Sequence, residues 1–216
     1  MSGIEQHHVK RFADAVFQAL QKMDAEAVPG ERGLTGLNWY GGHARPDLKR
    51  PQTEPSWSRR LAELLPDSGL PARAEVCYPR HTGVQGGFCD VVATLPNKTD
   101  LWLEIKGSWP LYWGRKNGVY RSYLFHPLLP GLGDKSHTVP LDIEKLRVLR
   151  HEDASHCGLL LLGFDSDGDP MDADVAELVQ LAGLVQPPWA TCTRSWKAVN
   201  RPGENVKCWM WVRAVR

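Results

Sequence analysis

The hydrophobic positions of the first 70 residues recur at steps of three and four, which is the spacing of amphipathic helices. This spacing predicts a first helix over Val9–Met23 and a short second helix over Trp57–Leu65, with Glu54 and Pro55 in its first turn. The intervening residues 28–53 carry five glycines and three prolines without a sustained period. They predict a long irregular connection.

After residue 70 the pattern becomes that of strands bounded by Gly, Pro or Asn. Three consecutive strands are predicted over Ala74–Tyr78, Cys89–Leu95 and Leu101–Lys106. The run Cys157–Phe164 is apolar without alternation, which is typical of a central strand buried on both faces. The remaining predicted elements are helices over Leu141–Leu149 and Asp172–Leu184 and a C-terminal hairpin of Trp189–Val199 and Val206–Val215. Together these elements predict an α/β fold with a mixed β-sheet flanked by helices.

Composition and charge narrow the class of protein only a little. The 216 residues include 26 Lys and Arg against 25 Asp and Glu, a net charge of +1. This balance excludes a strongly basic, histone-like protein but leaves room for a local basic patch that binds nucleic acid. The five cysteines form no C-x-x-C pair, which argues against a zinc site or a disulfide framework. No apolar run approaches about 18 residues and the first residues lack signal-peptide order, so we expect a cytoplasmic protein without a membrane segment.

The candidate chemistry lies on the third of the predicted strands. Apolar residues at positions 101, 103 and 105 alternate with polar ones, so Glu104 and Lys106 share one face of the strand. A hairpin of residues 91–95 and 101–105 would pair positions whose numbers sum to 196. This register sets Asp90 opposite Lys106 and diagonal to Glu104.

Such a register brings two carboxylates and one ammonium group together. Neighbouring carboxylates repel each other when both are ionised, so Asp90 and Glu104 predict a divalent cation between them, and oxygen ligands favour Mg²⁺ or Mn²⁺. The backbone carbonyl of Ile105 is a further candidate ligand. The cation would polarise a phosphoryl oxygen and lower the pKa of a bound water, while Lys106 positions that water or steadies developing negative charge. These residues therefore predict hydrolysis of phosphodiester bonds.

Asp90, a thirteen-residue interval and Glu104-Ile105-Lys106 together resemble the PD-(D/E)XK signature of restriction-endonuclease-like nucleases. The resemblance covers residues 54–165, because the family also places a helix before the hairpin and a helix and a buried strand after the E-x-K strand. It implies a restriction-endonuclease-like core, with Asp90 and Glu104 as metal ligands and Lys106 as the catalytic lysine.

The resemblance also implies an auxiliary catalytic glutamate on the helix before the hairpin. Glu54 begins the predicted second helix and Glu63 lies nine residues farther along, so one helix cannot direct both side chains to one site. Of the two, Glu54 is preferred. Because the family mostly cuts DNA, the implied activity is that of a metal-dependent nuclease acting on DNA. Cleavage of both strands with one active site per chain would usually require a homodimer.

An insertion of 34 residues, 107–140, separates the E-x-K strand from the next helix and mixes aromatic with basic side chains. Two hypotheses account for it. Aromatic rings stack on bases while lysines and arginines contact phosphates, which predicts a nucleic-acid-binding segment. Its candidate residues are Trp113, Arg115, Lys116, Tyr120 and Arg121. Alternatively, the aromatic side chains form a small core of their own that folds over the sheet.

We expect residues 1–216 to form one nuclease-like domain. Residues 1–53 are the N-terminal helix and irregular segment, residues 54–165 the catalytic core with its insertion, and residues 166–216 a helix and the hairpin. The alternative to an enzyme is a catalytically inactive module of the same fold, which would bind nucleic acid or a protein partner through the insertion and the tryptophan-bearing hairpin. Metal dependence of the activity distinguishes the two hypotheses.

Overall fold

The computed structural model describes residues 3–26, 54–84, 87–108, 111–112, 115–116, 139–166, 171–184, 189–199 and 204–215. The α-helices are α1 (Gly3–Ala25), α2 (Glu54–Leu64), α3 (Val139–Arg147) and α4 (Asp172–Leu181). The strands are β1 (Ala72–Cys77), β2 (Phe88–Thr94), β3 (Asp100–Ser108), β4 (Leu111–Tyr112), β5 (Arg115–Lys116), β6 (His156–Ser166), β7 (Ala190–Lys197) and β8 (Glu204–Ala214). Short 3-10 turns cover Leu65–Ser68 and Arg80–Thr82.

Six of the strands form one mixed sheet in the order β1-β2-β3-β6-β8-β7. Neighbouring strands are antiparallel except for β3 and β6, which run parallel. A parallel pair requires a crossover connection, and this one contains α3. Strands β4 and β5 pair separately as an antiparallel ribbon. The predicted α/β fold with a mixed sheet and flanking helices is thereby confirmed.

Strand β6 occupies the middle of the sheet, as its unbroken apolar run predicted. It pairs with β3 on one side and with β8 on the other. Leu159–Leu162 are completely buried, because neighbouring strands and helices cover them on every side. Gly158 lets β6 and β8 approach closely: a Cβ at this position would lie 2.9 Å from the carbonyl oxygen of Trp211.

The alternation of side chains along β3 divides the interior into two layers. Leu103 and Ile105 pack into a core together with α1 and α2. Trp102 faces the other way, into a core shared with α3 and α4. Glu104 and Lys106 have the same parity as Trp102, so they lie on the α3 side of the sheet. Two charged side chains are therefore placed under a helix rather than in solvent.

The predicted register of the β2–β3 hairpin is wrong by two residues. The strands pair Val91 with Leu103, which precedes the predicted partner by two positions. The cause is a loop of three residues, 96–98, where the prediction assumed five. Lys98 adopts a left-handed φ of 63°, and its amide donates to the carbonyl of Leu95 at 2.8 Å. This combination is typical of a three-residue hairpin loop closed by a bulge.

A shift of two residues leaves every side chain on its predicted face but changes its partner across the hairpin. Continuing the observed register by one residue sets Asp90 directly opposite Glu104. The prediction had set Asp90 opposite Lys106. The two carboxyl groups therefore lie at the same level on neighbouring strands.

The other elements lie within a few residues of their predicted bounds, although α1 begins at Gly3 rather than at Val9. The predicted irregular connection over residues 28–53 lies outside the described residues. No helix in the described ranges is long and apolar enough to cross a membrane.

Candidate functional site

The side chain of Asp90 links β2 to β3 at the open end of their hairpin. Pairing between the two strands stops at Val91 and Leu103, one residue short of Asp90. Beyond that point the side chain of Asp90 makes the connection: the backbone amide of Ile105 donates to its Oδ2 at 2.7 Å. Because Ile105 directly follows Glu104, this hydrogen bond holds the Asp90 carboxyl group beside that of Glu104.

Glu104 is almost completely buried, with 2% of its surface exposed. Its Oε1 accepts a hydrogen bond of 2.6 Å from the hydroxyl of Tyr78, which directly follows β1. The ring of Tyr78 packs against that of Trp102, with 5.3 Å between their centres, and this packing orients the hydroxyl. Burial is the largest of the effects that raise the pKa of Tyr78, so the hydroxyl keeps its proton and stays a donor.

The connection that follows Tyr78 is tied to the connection before β6 through Asp153. His81 Nε2 lies 2.9 Å from Asp153 Oδ2, and the amide of Arg150 donates to the same oxygen at 2.9 Å. The indole N–H of Trp102 donates to the backbone carbonyl of Asp153 at 3.2 Å. These contacts fix the ring against which Tyr78 packs.

Helix α3 brings two further charged side chains over this face of the sheet. Asp142 and Lys145 are three residues apart on the helix, and Lys145 Nζ lies 2.6 Å from Asp142 Oδ1. Lys106 Nζ lies 3.1 Å from Asp142 Oδ2, and Lys145 Nζ lies 3.5 Å from Glu104 Oε1. Three carboxyl groups and two ammonium groups therefore meet in one place. We call this set the charge cluster: Asp90, Glu104, Lys106, Asp142 and Lys145.

Burial and mutual repulsion favour the protonated forms of the two facing carboxyl groups. Burial is the largest cause that raises the pKa of Glu104, and the negative charges of Asp142 and Asp90 raise it further. The ammonium group of Lys145 acts in the opposite direction. Burial also raises the pKa of Asp90, although hydrogen bonds to its carboxylate oppose the shift. A cation bound to both groups would relieve this repulsion.

Lys145 carries its positive charge in this setting. Burial lowers the pKa of its ammonium group, but the charges of Glu104 and Asp142 outweigh that effect and leave the pKa above its ordinary value. With all five groups of the charge cluster ionised, one net negative charge remains, which suits a site that binds a cation.

Asp90 and Glu104 fit the protein part of a magnesium site. Within the described ranges, no three His, Cys, Asp or Glu side chains are arranged to hold a metal ion. Mg²⁺ does not require three, because it is commonly bound by one or two carboxylates, with substrate phosphates and waters as its other ligands. The amide of Ile105 is bound to Asp90, and the role of its carbonyl as a ligand stays a prediction.

The two candidates for the auxiliary glutamate lie on α2, which packs against the opposite face of the sheet. The side chain of Glu63 is 64% exposed and pairs with Arg60 at 2.8 Å. The structure therefore does not bring Glu63 to Glu104. Glu54 is the first residue of α2, and its side chain lies outside the described part of the chain.

The predicted nucleic-acid-binding residues belong to the insertion. Arg115 and Lys116 form β5, which pairs with β4. Their side chains are outside the described part of the structure, as are Trp113, Tyr120 and Arg121 altogether. Their contact with nucleic acid stays a prediction.

Three residues of the site were assigned no role from the sequence: Tyr78, Asp142 and Lys145. A signal for Asp142 was present, because the buried residues Val139, Ile143 and Leu146 place it within the apolar stripe of α3. A carboxylate in such a stripe needs a buried partner. Which partner it has depends on the position of α3 over β3, which the sequence pattern does not specify.

Comparison of the chain with models of protein families, with curated proteins and with solved structures found no match.

Proposed function

We propose that this protein is a divalent-metal-dependent nuclease that hydrolyses phosphodiester bonds, with DNA as its substrate. The observation that carries the proposal is the position of Asp90 opposite Glu104, with Lys106 on the same face of β3. Two carboxylates and a lysine in this arrangement supply both parts of such a reaction, cation binding and stabilisation of charge.

The order of elements supports a restriction-endonuclease-like core. Helix α2 precedes the strands β1, β2 and β3, and α3 and the buried β6 follow them. This order matches the one that the resemblance implied. In the sheet, β3 lies between its hairpin partner β2 and the central strand β6.

Asp90 and Glu104 would hold Mg²⁺ or Mn²⁺, and the bound cation supplies polarisation of a phosphoryl oxygen and a lower pKa for a bound water. The other groups act on the protein side. The Ile105 amide and the Tyr78 hydroxyl hold the two carboxyl groups in place. Lys106 presents a positive charge beside them, where it positions the attacking water or stabilises the negative charge of the transition state.

Cleavage assays test the proposal. Plasmid, linear and single-stranded DNA and RNA are incubated with Mg²⁺ or Mn²⁺, and product is measured by gel electrophoresis. Glu104→Gln and added EDTA should each abolish cleavage. Glu152→Gln is the matched control, because this glutamate is 69% exposed and pairs only loosely with Arg150 at 3.6 Å; it should cut at the wild-type rate.

Two outcomes contradict the proposal. Cleavage that persists in both Glu104→Gln and EDTA would assign the activity to other residues or to a contaminant. Nucleic-acid binding that survives EDTA, with no product from any substrate, would support the inactive binding module instead.

A further inference from the structure

Asp142 bridges the two lysines of the charge cluster. Its Oδ1 lies 2.6 Å from Lys145 Nζ, and its Oδ2 lies 3.1 Å from Lys106 Nζ. One lysine comes from β3 and the other from α3, so the carboxylate joins the sheet to the helix that covers it. The side chain of Asp142 is only 4% exposed, which means that water competes little for either contact.

The two lysines differ in their access to solvent. The side chain of Lys106 is 6% exposed, whereas that of Lys145 is 30% exposed. Lys145 Nζ also lies 3.5 Å from Glu104 Oε1, so its charge stands next to the carboxyl pair proposed to bind the cation. An anion that enters from solvent would therefore meet Lys145 before Lys106.

The geometry points to a phosphate-binding site made of two lysines, in which Lys145 contacts the phosphate of the nucleic acid and Asp142 is the positioning residue for both lysines. This inference rests on the proposed function and assigns it two residues beyond the E-x-K strand. Asp142 acts through the lysines, because both of its carboxylate oxygens face ammonium groups.

The proposed roles of Lys145 and Asp142 predict different effects of substitution on DNA binding. Loss of Lys145 removes a positive charge that meets a phosphate, so binding weakens and becomes less sensitive to salt. Loss of the Asp142 charge removes a carboxylate that repels phosphate, so binding does not weaken. Loss of the Asp142 charge also frees both lysines from their positions, so the rate of cleavage falls. A residue that merely supported the fold would lower both quantities together.

The first experiment measures binding of a short fluorescent DNA duplex in EDTA at several concentrations of KCl, so that it does not depend on cleavage. Lys145→Ala should weaken binding and reduce the slope of log affinity against log salt by about 1. Lys145→Arg keeps the charge and should keep the slope. Lys10→Ala is the matched control, because Lys10 is an exposed lysine on α1, which packs on the other face of the sheet.

The second experiment separates turnover from binding. Asp142→Asn should keep or increase DNA affinity in EDTA while the cleavage rate at saturating DNA falls at least tenfold. Thermal unfolding of each variant shows how much of it is folded. If Asp142→Asn is poorly folded, the Lys145 series decides the outcome, because Lys145 is the more exposed residue.

The outcomes distinguish this inference from the proposed function. If the wild type cuts DNA and Lys145→Ala keeps both affinity and salt slope, the two-lysine site is wrong and the nuclease assignment stands. If Lys145→Ala lowers the slope but the wild type cuts nothing, the phosphate site stands and the nuclease assignment is wrong. A wild type that neither binds nor cuts DNA overturns both.

Discussion

The backbone amide of Ile105 donates to Oδ2 of Asp90 at 2.7 Å, at the point where pairing between β2 and β3 has ended. A side chain thus replaces a strand-to-strand bond and holds its own carboxyl group beside that of Glu104. The same side chain therefore contributes to stability, through its hydrogen bond, and to the proposed cation site, through its negative charge. Substitutions that keep one of these properties and remove the other separate the two contributions.

Asp90→Asn and Asp90→Ala should differ in stability but not in activity. An amide oxygen still accepts from Ile105 and carries no charge that repels Glu104, so Asp90→Asn should unfold in urea at the wild-type midpoint or above it. Asp90→Ala leaves a buried amide without its acceptor and should cost about 1–3 kcal/mol of unfolding free energy. Neither variant offers a carboxylate to a cation, so both should lose DNA cleavage. Equal stability of the two variants would contradict the role of this hydrogen bond.

Tyr78→Phe should raise the pKa of Glu104 further, because the hydrogen bond from the Tyr78 hydroxyl favours the ionised carboxylate. Cation binding requires that ionised form, so the acidic limb of the pH–rate profile for cleavage should move to higher pH. Removing the donor from a buried acceptor should also lower the unfolding free energy by about 1–3 kcal/mol. An unchanged pH profile would show that this bond does not influence the reacting groups.

Without metal, the contribution of Glu104 and Asp90 to stability should fall as pH rises. Burial raises the pKa of Glu104 and of Asp90 in the folded protein above their ordinary values of 4.5 and 3.8. In the pH window between the ordinary and the raised pKa of each group, the folded state therefore binds more protons than the unfolded state. The contribution of this pair to the unfolding free energy therefore decreases with pH across that window and is fully present only below it. Glu104→Gln should reduce this slope, which urea titrations in EDTA at a series of pH values measure.

Divalent cations should reverse that loss of stability. Mg²⁺ or Mn²⁺ binds the ionised pair, so its addition should raise the melting temperature, and more strongly at high pH than at low pH. Binding at one hundred times Kd adds about 2.7 kcal/mol to the unfolding free energy. Glu104→Gln should show no such increase. A similar increase in wild type and variant would place the cation elsewhere on the protein.

Two substitutions, made separately, test whether Glu54 or Glu63 is the auxiliary catalytic glutamate. Glu63→Gln should leave cleavage unchanged, because its side chain pairs with Arg60 in solvent on a helix that covers the opposite face of the sheet. Glu54→Gln should slow cleavage if Glu54 has the auxiliary role. The reverse result would require α2 to present Glu63 to the site after a rearrangement.

The β2–β3 hairpin illustrates what a local pattern can and cannot specify. Alternation along β3 correctly placed Glu104 and Lys106 on one face, because the period of a strand is two. The loop length was misjudged, because Lys98 takes a left-handed conformation that nothing in its residue type requires. The resulting error of two residues kept the faces and changed the partner of Asp90 from Lys106 to Glu104.

The sequence by itself determined the α/β class, the central position of β6 and the presence of Asp90, Glu104 and Lys106 on one side of the sheet. These features follow from the spacing at which hydrophobic residues recur, and that spacing depends only on residues close together in the sequence. Only the tertiary structure decided that Tyr78 binds Glu104 and that Asp142 and Lys145 complete the charge cluster. Those contacts join β3, α3 and the residue that follows β1, and their geometry depends on how α3 packs over the sheet rather than on any local pattern.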